Sequence, residues 1–409
     1  MRQERNNIFA QIDWLLVFLF FTLVGFGWMN IYAASNSSDD TELLSFSTKY
    51  GKQLIFICLT IPLIILILFF NSKFYERFAS IFYVISLFSL VGLFIFGKEI
   101  NGARSWYNFG VLGLQPSEFV KAFTALAIAK LLSDRQYNLG LVKNQVKAFL
   151  IIFTPAVLIT LQPDAGSALI YLAFFFVLNR EGLTLNYTIF GSLLIFIFVL
   201  TIFFGAIWVL SALLLLITIG VIYAIYKGGK RFIRFNWYKV LGIYAAATFF
   251  IFATYFSYNK VFKQHHRDRF EILLGLKTDQ KNIGYNSYQS ELTISSGGLT
   301  GKGFLKGDIT KGDFVPEQHT DYIFSTVGEE WGFLGSSLVI ILFMLMLFRI
   351  IYLADTHSNK FGRIYGYGVA SILFFHIIVN IGMVIGLLPT VGIPLPFFSY
   401  GGSSLWGFT

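Results

Sequence analysis

Apolar runs close to 20 residues long, separated by short polar breaks, recur from one end of the chain to the other. A helix of that length rises about 30 Å, which matches the hydrocarbon core of a bilayer. Reading runs against breaks predicts spans near residues 12–34, 53–70, 78–97, 115–133, 147–161, 166–179, 187–205, 207–226, 240–258, 321–353 and 361–388. One more helix begins at Ser399 and stops after about two turns, so FSYGGSSLWGFT is either a partial span or part of a longer chain. The expected fold class is all-α: a polytopic membrane helix bundle of about ten to twelve transmembrane spans with one large extracellular loop. Residues 1–409 form a single integral membrane domain in this reading.

Composition narrows the class further. Hydrophobic residues make up 56% of the 409 and charged residues 13%, and mean hydropathy is +0.68. A soluble domain needs far more charge on its surface. The net charge of +9 would suit nucleic acid, but the basic residues sit in short loops between apolar runs. Membrane lipids with anionic headgroups are the expected partner, with no nucleic acid. A single cysteine, Cys58, excludes an intrachain disulfide. The opening MRQERNN is followed by a stretch long enough to span and without a small-residue cleavage site, which reads as a retained first helix. With the N-terminus cytoplasmic, the inner short loops collect fifteen lysines and arginines, against Lys49, Lys52, Lys98 and Arg104 in the opposite short loops. That bias sets the expected orientation.

The same parity places the long polar segment 259–320 outside. A structureless loop of about 60 residues is uncommon and usually functional. Within it YNSYQSELTISS alternates polar and apolar positions, and SSGGLTGKGFLKGD is punctuated by glycine. The glycines do not make a nucleotide-phosphate loop, because Ser296 and Gly303 stand where that pattern needs glycine and Ser or Thr. His265, His266 and His319 lack the i, i+4 spacing of a helical zinc site, so no dedicated metal site is expected.

An ionisable group at membrane depth costs about 2.5–3.5 kcal/mol on insertion scales, so it is normally paired or lines a wet cavity. Glu118 and Lys121, three residues apart in QPSEFVKAF, share one helix face. They read either as a self-neutralised pair or as a pair that handles a charged substrate group. Asp164 in LQPDAGSA follows a proline and suits a helix cap as well as a site. Trp106 suits an interfacial anchor, whereas Arg104 on the outer side opposes the charge bias and favours phosphate binding. Asp321 lies at the start of a re-entering helix, whose dipole favours it, while Glu329 and Glu330 lie deeper and need partners. Asp279 alone would be a solvated loop residue. His376, isolated on an apolar face, reads as a satisfied core residue.

QPSEFVK at 115–121, QPDAGSA at 162–168, GYNSYQSELTISSGGLTGKGFLKG at 284–307, PEQHTDYIF at 316–324 and PFFSYGGSS at 396–404 together resemble the SEDS family, the shape, elongation, division and sporulation proteins. VNIGMVIGLLPTVGIPLP is similar to the elongation branch of that family. The resemblance covers nearly all of the chain except about 180–258, where three spans are read against the family's usual one, so this region carries probable extra spans. Smaller departures are Gln280 after Asp279 in place of proline, Gln318 in place of arginine, and Ala165 and Ser167 in place of Leu and Thr.

The resemblance implies a peptidoglycan glycosyltransferase that polymerises lipid II into glycan strands at the outer face of the bacterial cytoplasmic membrane during elongation and shape maintenance. By motif match Asp279 takes the position of the family's essential loop aspartate, with Glu118 and Lys121 beside it as catalytic candidates. Arg104, Trp106, Asp164, His319, Asp321, Glu317 and Ser399 are the substrate-binding candidates. Asp279 would take the proton from the attacking sugar hydroxyl, and Lys121 and Arg104 would stabilise the departing diphosphate, with a divalent cation, Mg or Mn, as a further candidate. The implied partner is a class B penicillin-binding protein, a transpeptidase. The competing class is a flippase or transporter of lipid-linked precursors; no internal repeat supports it, and the polar residues gather at the outer end rather than at the midplane.

Overall fold

Helices stand where the apolar runs predict them. The computed structural model describes residues 12–35, 48–100, 102–110, 112–228, 230–262, 264–277 and 284–409. The chain divides into two compact units, Met1–Leu183 with Tyr285–Thr409, and Thr184–Gly284. Among the described residues nine helices are long and apolar enough to cross a membrane. The polytopic all-α bundle is therefore borne out.

The first unit begins with Trp14–Ser35 (α1), Lys49–Phe69 (α2) and Ser72–Phe96 (α3). A small antiparallel sheet follows, Lys98–Ile100 (β1), Ala103–Phe109 (β2) and Leu112–Leu114 (β3), with Lys98 opposite Trp106 and Tyr107 opposite Leu114. The apolar periodicity does not announce it, because strands this short carry no usable alternation. Pro116–Ser133 (α4) comes next, with proline in its first turn, where the missing N–H costs no helical bond. It carries Glu118, Lys121 and Lys130, too many charges for a lipid-facing span, and it is buried along most of its length. Val142–Leu161 (α5) leads to a shorter apolar segment, Ala165–Arg180, made of Ala165–Leu169 (α6), a 3-10 turn and Phe174–Arg180 (α7).

After the second unit the chain returns with Tyr285–Ser296 (α12), Asp308–Lys311 (α13), Ile323–Thr356 (α14), Lys360–Val384 (α15) and Gly402–Phe408 (α16). The alternation in YNSYQSELTISS does not make an extended segment. It folds as α12, packed on α14, because Ser290 and Thr293, three apart, form one buried helical stripe. Ser290 Oγ also ties α12 to the end of α15 by donating to Val384 O at 2.8 Å.

Of the nine candidate spans, α15 is buried over 72% of its core window and α2 over 17%. This contrast makes α15 an interior helix and leaves α2 at the lipid boundary. α4 packs against α15 where a Cβ on Gly368 would come within 3.1 Å of Ala125 Cβ. Small residues let membrane helices approach this closely. One buried cluster surrounds α3, α4, α5, α7 and α15, and a second joins α1, α14 and α16.

α14 is broken at Gly332, whose φ of 64° and ψ of −160° are not helical. The glycine-rich segment 297–303 fills the break with its own backbone: Lys302 N and Gly303 N donate to Glu329 O and Glu330 O at 3.0 and 2.9 Å. Phe333 N and Leu334 N in turn donate to Gly298 O and Leu299 O at 2.9 and 3.1 Å. A Cβ on Gly301 would collide with the Glu330 carbonyl, and one on Gly332 with the Gly301 amide. The glycine punctuation therefore serves a backbone splice, which satisfies the peptide groups that a break in an apolar helix exposes.

The second unit holds Leu185–Phe204 (α8), Ala206–Gly228 (α9), Lys230–Phe256 (α10) and Gln264–Leu273 (α11). A π-helical turn, Ser257–Val261, continues α10. α8 and α9 bury only 6% of their core windows within the structure, which fits helices that face lipid. α11 is polar and tied down by Tyr258 Oη to Glu271 at 3.0 Å and Lys277 Nζ to Asp268 at 2.7 Å. The polar segment read as one loop is thus partly helical and is shared between the two units.

Candidate functional site

α4 enters the first unit through Gln115 and Pro116, which places Glu118 in its first turn and Lys121 one turn deeper. Lys121 Nζ lies 3.0 Å from both Glu118 oxygens and 2.8 Å from His376 Nε2 on α15. Both members of the ion pair are 2% exposed. His376 Nδ1 lies 3.2 Å from Pro394 O, and a carbonyl only accepts, so Nδ1 carries the hydrogen and Nε2 offers a lone pair to the ammonium. All three ammonium hydrogens are therefore engaged. Phe408 of α16 completes the cage, 5.0 Å from Nζ and edge-on to the imidazole at 4.8 Å.

This corrects the reading of His376 as an isolated core residue. Its ring joins the charged pair because the close approach of α4 and α15 brings Lys121, one turn from Ala125, level with His376, two turns from Gly368. A signal was present in the sequence: Asn380 lies four residues on, so two polar groups share one face of an apolar helix. Asn380 Nδ2 donates to Asp321 O and Ile393 O, both at 2.7 Å.

Around this triad the motif segments are sewn together at one end of the unit. Asp164 caps α6 by accepting from Ser167 N at 3.1 Å and Ser167 Oγ at 2.9 Å, and it also receives Gln115 Nε2 at 3.3 Å. Ser403 Oγ accepts from Gln115 N and donates to Gly113 O, each at 3.1 Å. Ser399 Oγ donates to Thr320 O at 2.6 Å and accepts from Leu395 N at 2.8 Å. Tyr400 N donates to His319 O at 2.9 Å. Thr390 Oγ1 sits 2.9 Å from Tyr322 Oη and 3.0 Å from Ser287 Oγ, which brings in the α12 motif.

Of the remaining described candidates, Arg104 and Glu317 are exposed at the rim, and Trp106, His319 and Asp321 are half-buried. Arg104 is exposed on β2, 3.7 Å from Glu99, and its amide donates to Gln162 O at 3.3 Å. Trp106, on the same strand, is half-buried, with its ring beside Gly113. His319 Nδ1 is 3.4 Å from Lys49 Nζ; burial and then that neighbouring charge hold its pKa below the ordinary value. Glu317 is exposed in a turn, where its backbone and side-chain oxygens both accept from Thr320 Oγ1. Asp321 is half-buried beside Gly392. Glu329 finds its partners in Lys302 Nζ at 2.7 Å and in Ile309 N, Thr310 N and Thr310 Oγ1. Gln318, one of the departures from the resemblance, donates to Thr310 and Thr326. Asp279, with its neighbour Gln280, lies outside the described residues. Among those described, no group of three or more His, Cys, Asp or Glu side chains is placed to hold a metal ion.

The FtsW/RodA/SpoVE profile of cell cycle proteins matches residues 13–213 and 210–408. The Escherichia coli K12 peptidoglycan glycosyltransferase MrdB is 33% identical over 332 residues, covering 81% of this chain and 75% of that protein. The Treponema pallidum peptidoglycan glycosyltransferase RodA is 29% identical over 419 residues, covering 97% and 95%. Among solved structures, a chain of a peptidoglycan synthase complex that coordinates polymerization and crosslinking superposes with a TM-score of 0.68 at 28% identity, covering 97% of this chain and 94% of that one. Thermus thermophilus RodA superposes with a TM-score of 0.61 at 27% identity, covering 97% and 92%.

Proposed function

This chain belongs to the FtsW/RodA/SpoVE family, the SEDS proteins, and from that premise we infer that it is a peptidoglycan glycosyltransferase that polymerises lipid II into glycan strands. The observation that carries the reading is convergence: segments 115–121, 162–168, 285–307, 316–324 and 396–404 meet at one end of one unit around a buried, fully bonded triad. The charge bias of the short loops supports an outward-facing position for that end.

The reaction joins a sugar 4-hydroxyl to the anomeric carbon of a second lipid-linked sugar and expels its diphosphate. A hydroxyl is a weak nucleophile near neutral pH, so a base must accept its proton as the bond forms. Asp279 is assigned that role on the motif match. One displacement inverts the donor linkage with no covalent enzyme intermediate. The leaving diphosphate needs preorganised positive charge. Arg104, exposed on β2, is an accessible cation, while Lys121 acts from beneath, with its charge balanced by Glu118. A divalent cation, Mg or Mn, would when bound supply further positive charge to the departing diphosphate.

The working partner in this reading is a class B penicillin-binding protein that crosslinks the new strands. The support is the fold shared with one chain of the polymerising and crosslinking synthase complex. The test uses the full chain purified in detergent with its transpeptidase partner and labelled lipid II. Asp279→Ala and Lys121→Ala should each lower polymerisation by about a hundredfold or more with the fold intact. Polymerisation at the unaltered rate by folded Asp279→Ala removes Asp279 from the mechanism.

A further inference from the structure

Lys121 divides its hydrogens between two partners, and the reaction as described uses only one of them. Glu118 balances the charge. His376 takes the remaining hydrogen at 2.8 Å, and its other nitrogen is held by Pro394 O at 3.2 Å. Pro394 opens the segment that runs into Ser399, whose hydroxyl bonds Thr320 O at 2.6 Å. One turn along α15, Asn380 grips Asp321 O and Ile393 O. A single face of α15 therefore braces both the 316–324 and the 391–399 segments and ends on the ammonium.

We propose that His376 is a positioning residue for the glycosyltransferase reaction, acting through Lys121 by holding its ammonium at the place set by the Pro394 segment. The inference rests on the reading that Lys121 serves the reaction. A histidine that merely filled the core would need one hydrogen bond and a snug ring. This one has both, and it also presents a lone pair to a buried cation. That arrangement requires the neutral ring with hydrogen on Nδ1, the form the Pro394 carbonyl selects. A doubly protonated ring would aim an N–H at the ammonium.

Three variants of the full chain, assayed for lipid II polymerisation with the partner present, separate these roles. His376→Phe keeps a ring beside Phe408 and removes both nitrogens. We expect kcat to fall about ten- to a hundredfold, the scale of a misplaced catalytic group, with KM little changed and the melting temperature a few degrees lower, because one ammonium hydrogen and the Pro394 carbonyl lose their partner. His376→Gln restores one acceptor and one donor at the end of a side chain and should recover most of that loss. If the phenylalanine variant does not fold, His376→Met, a flexible filler without either nitrogen function, takes its place and is read the same way. Polymerisation at the unaltered kcat by the folded Phe or Met variant overturns the proposal, as does a glutamine variant no better than they are. Lys121→Ala, run alongside, keeps the two claims apart. If it retains activity, the assignment of Lys121 falls; if it loses activity while the His376 variants do not, only the role of His376 falls.

Discussion

Removing the carboxylate of Glu118 should destabilise the chain far more than removing both members of its ion pair. Glu118 and Lys121 are each 2% exposed and meet at 3.0 Å, so Glu118→Leu leaves a buried ammonium with an imidazole and an aromatic face as its only near partners. Breaking a buried pair from one side costs about 3–5 kcal/mol, because the remaining charge is desolvated without compensation. Lys121→Met leaves the carboxylate in the same position and should cost a similar amount. The double variant leaves no net charge; only the imidazole Nε2 loses its donor, which costs about 1–3 kcal/mol. An unfolding entropy of about 2.1 cal/mol/K per residue over 409 residues gives about 0.9 kcal/mol/K. The single variants should therefore melt about 3–6 °C below the parent, and the double variant about 1–3 °C below. Thermal unfolding in one detergent at one pH, followed by tryptophan fluorescence, reads all four proteins. A double variant whose loss equals the sum of the single losses would mean that the two groups do not act as a pair, and the geometry of the site would have to be redrawn.

Three other outcomes follow from separate features. Gly332→Ala places a Cβ 2.8 Å from Leu299 O at a φ of 64°, so it should cost at least about 2 kcal/mol and open segment 297–303 to protease; an unchanged melting temperature and cleavage rate would refute the splice. His319 has a folded pKa held below 6.5 by burial and by Lys49, so the unfolded chain binds that proton more readily. Stability should then fall as the pH drops below about 6.5 and level off once the folded imidazole titrates, and His319→Gln should flatten that window in melting curves taken across pH. Asp164→Ala should cost about 1 kcal/mol through the lost cap, while Asp164→Asn, an equally good cap, should stay near the parent; equal losses in unfolding scans would mean that the charge rather than the cap holds α6.

The bundle was legible because lipid imposes one rule on every span, length with few charges, and 19-residue apolar windows report that rule directly. The charged pair was legible for the same reason: two ionisable residues three apart in an apolar run have few structural options. His376 was not, because a pairing between α4 and α15 depends on the closeness of Ala125 and Gly368, and no local pattern states which helices pack together. The glycines of 297–303 stood out as a cluster, but their purpose lies in the break at Gly332, some 30 residues away, where backbone rather than side chain is recognised. The sheet at 98–114 escaped for a simpler reason. Its strands span three to seven residues, too few for a period-2 signal to rise above the turn glycines between them. Asp279 stands apart from all of these, since its assignment rests on the motif match alone.

The buried triad also constrains how its lysine acts. A lone cation projects a field that falls with distance, whereas a cation held against a carboxylate projects the weaker, steeper field of a dipole. Lys121, with both Glu118 oxygens at 3.0 Å, therefore contributes little beyond its immediate surroundings while the pair is closed. In the proposed reaction, early attraction of a diphosphate would fall to exposed basic groups such as Arg104 and Lys49. In the same proposed reaction, stabilisation of the charge that develops as the bond breaks would fall to a group already fixed and desolvated, as Lys121 is, on the side where the leaving diphosphate comes close to it. On that proposal capture and chemistry would be separated by depth, with the polar bracing of α15 holding the deeper group while the rim exchanges substrate.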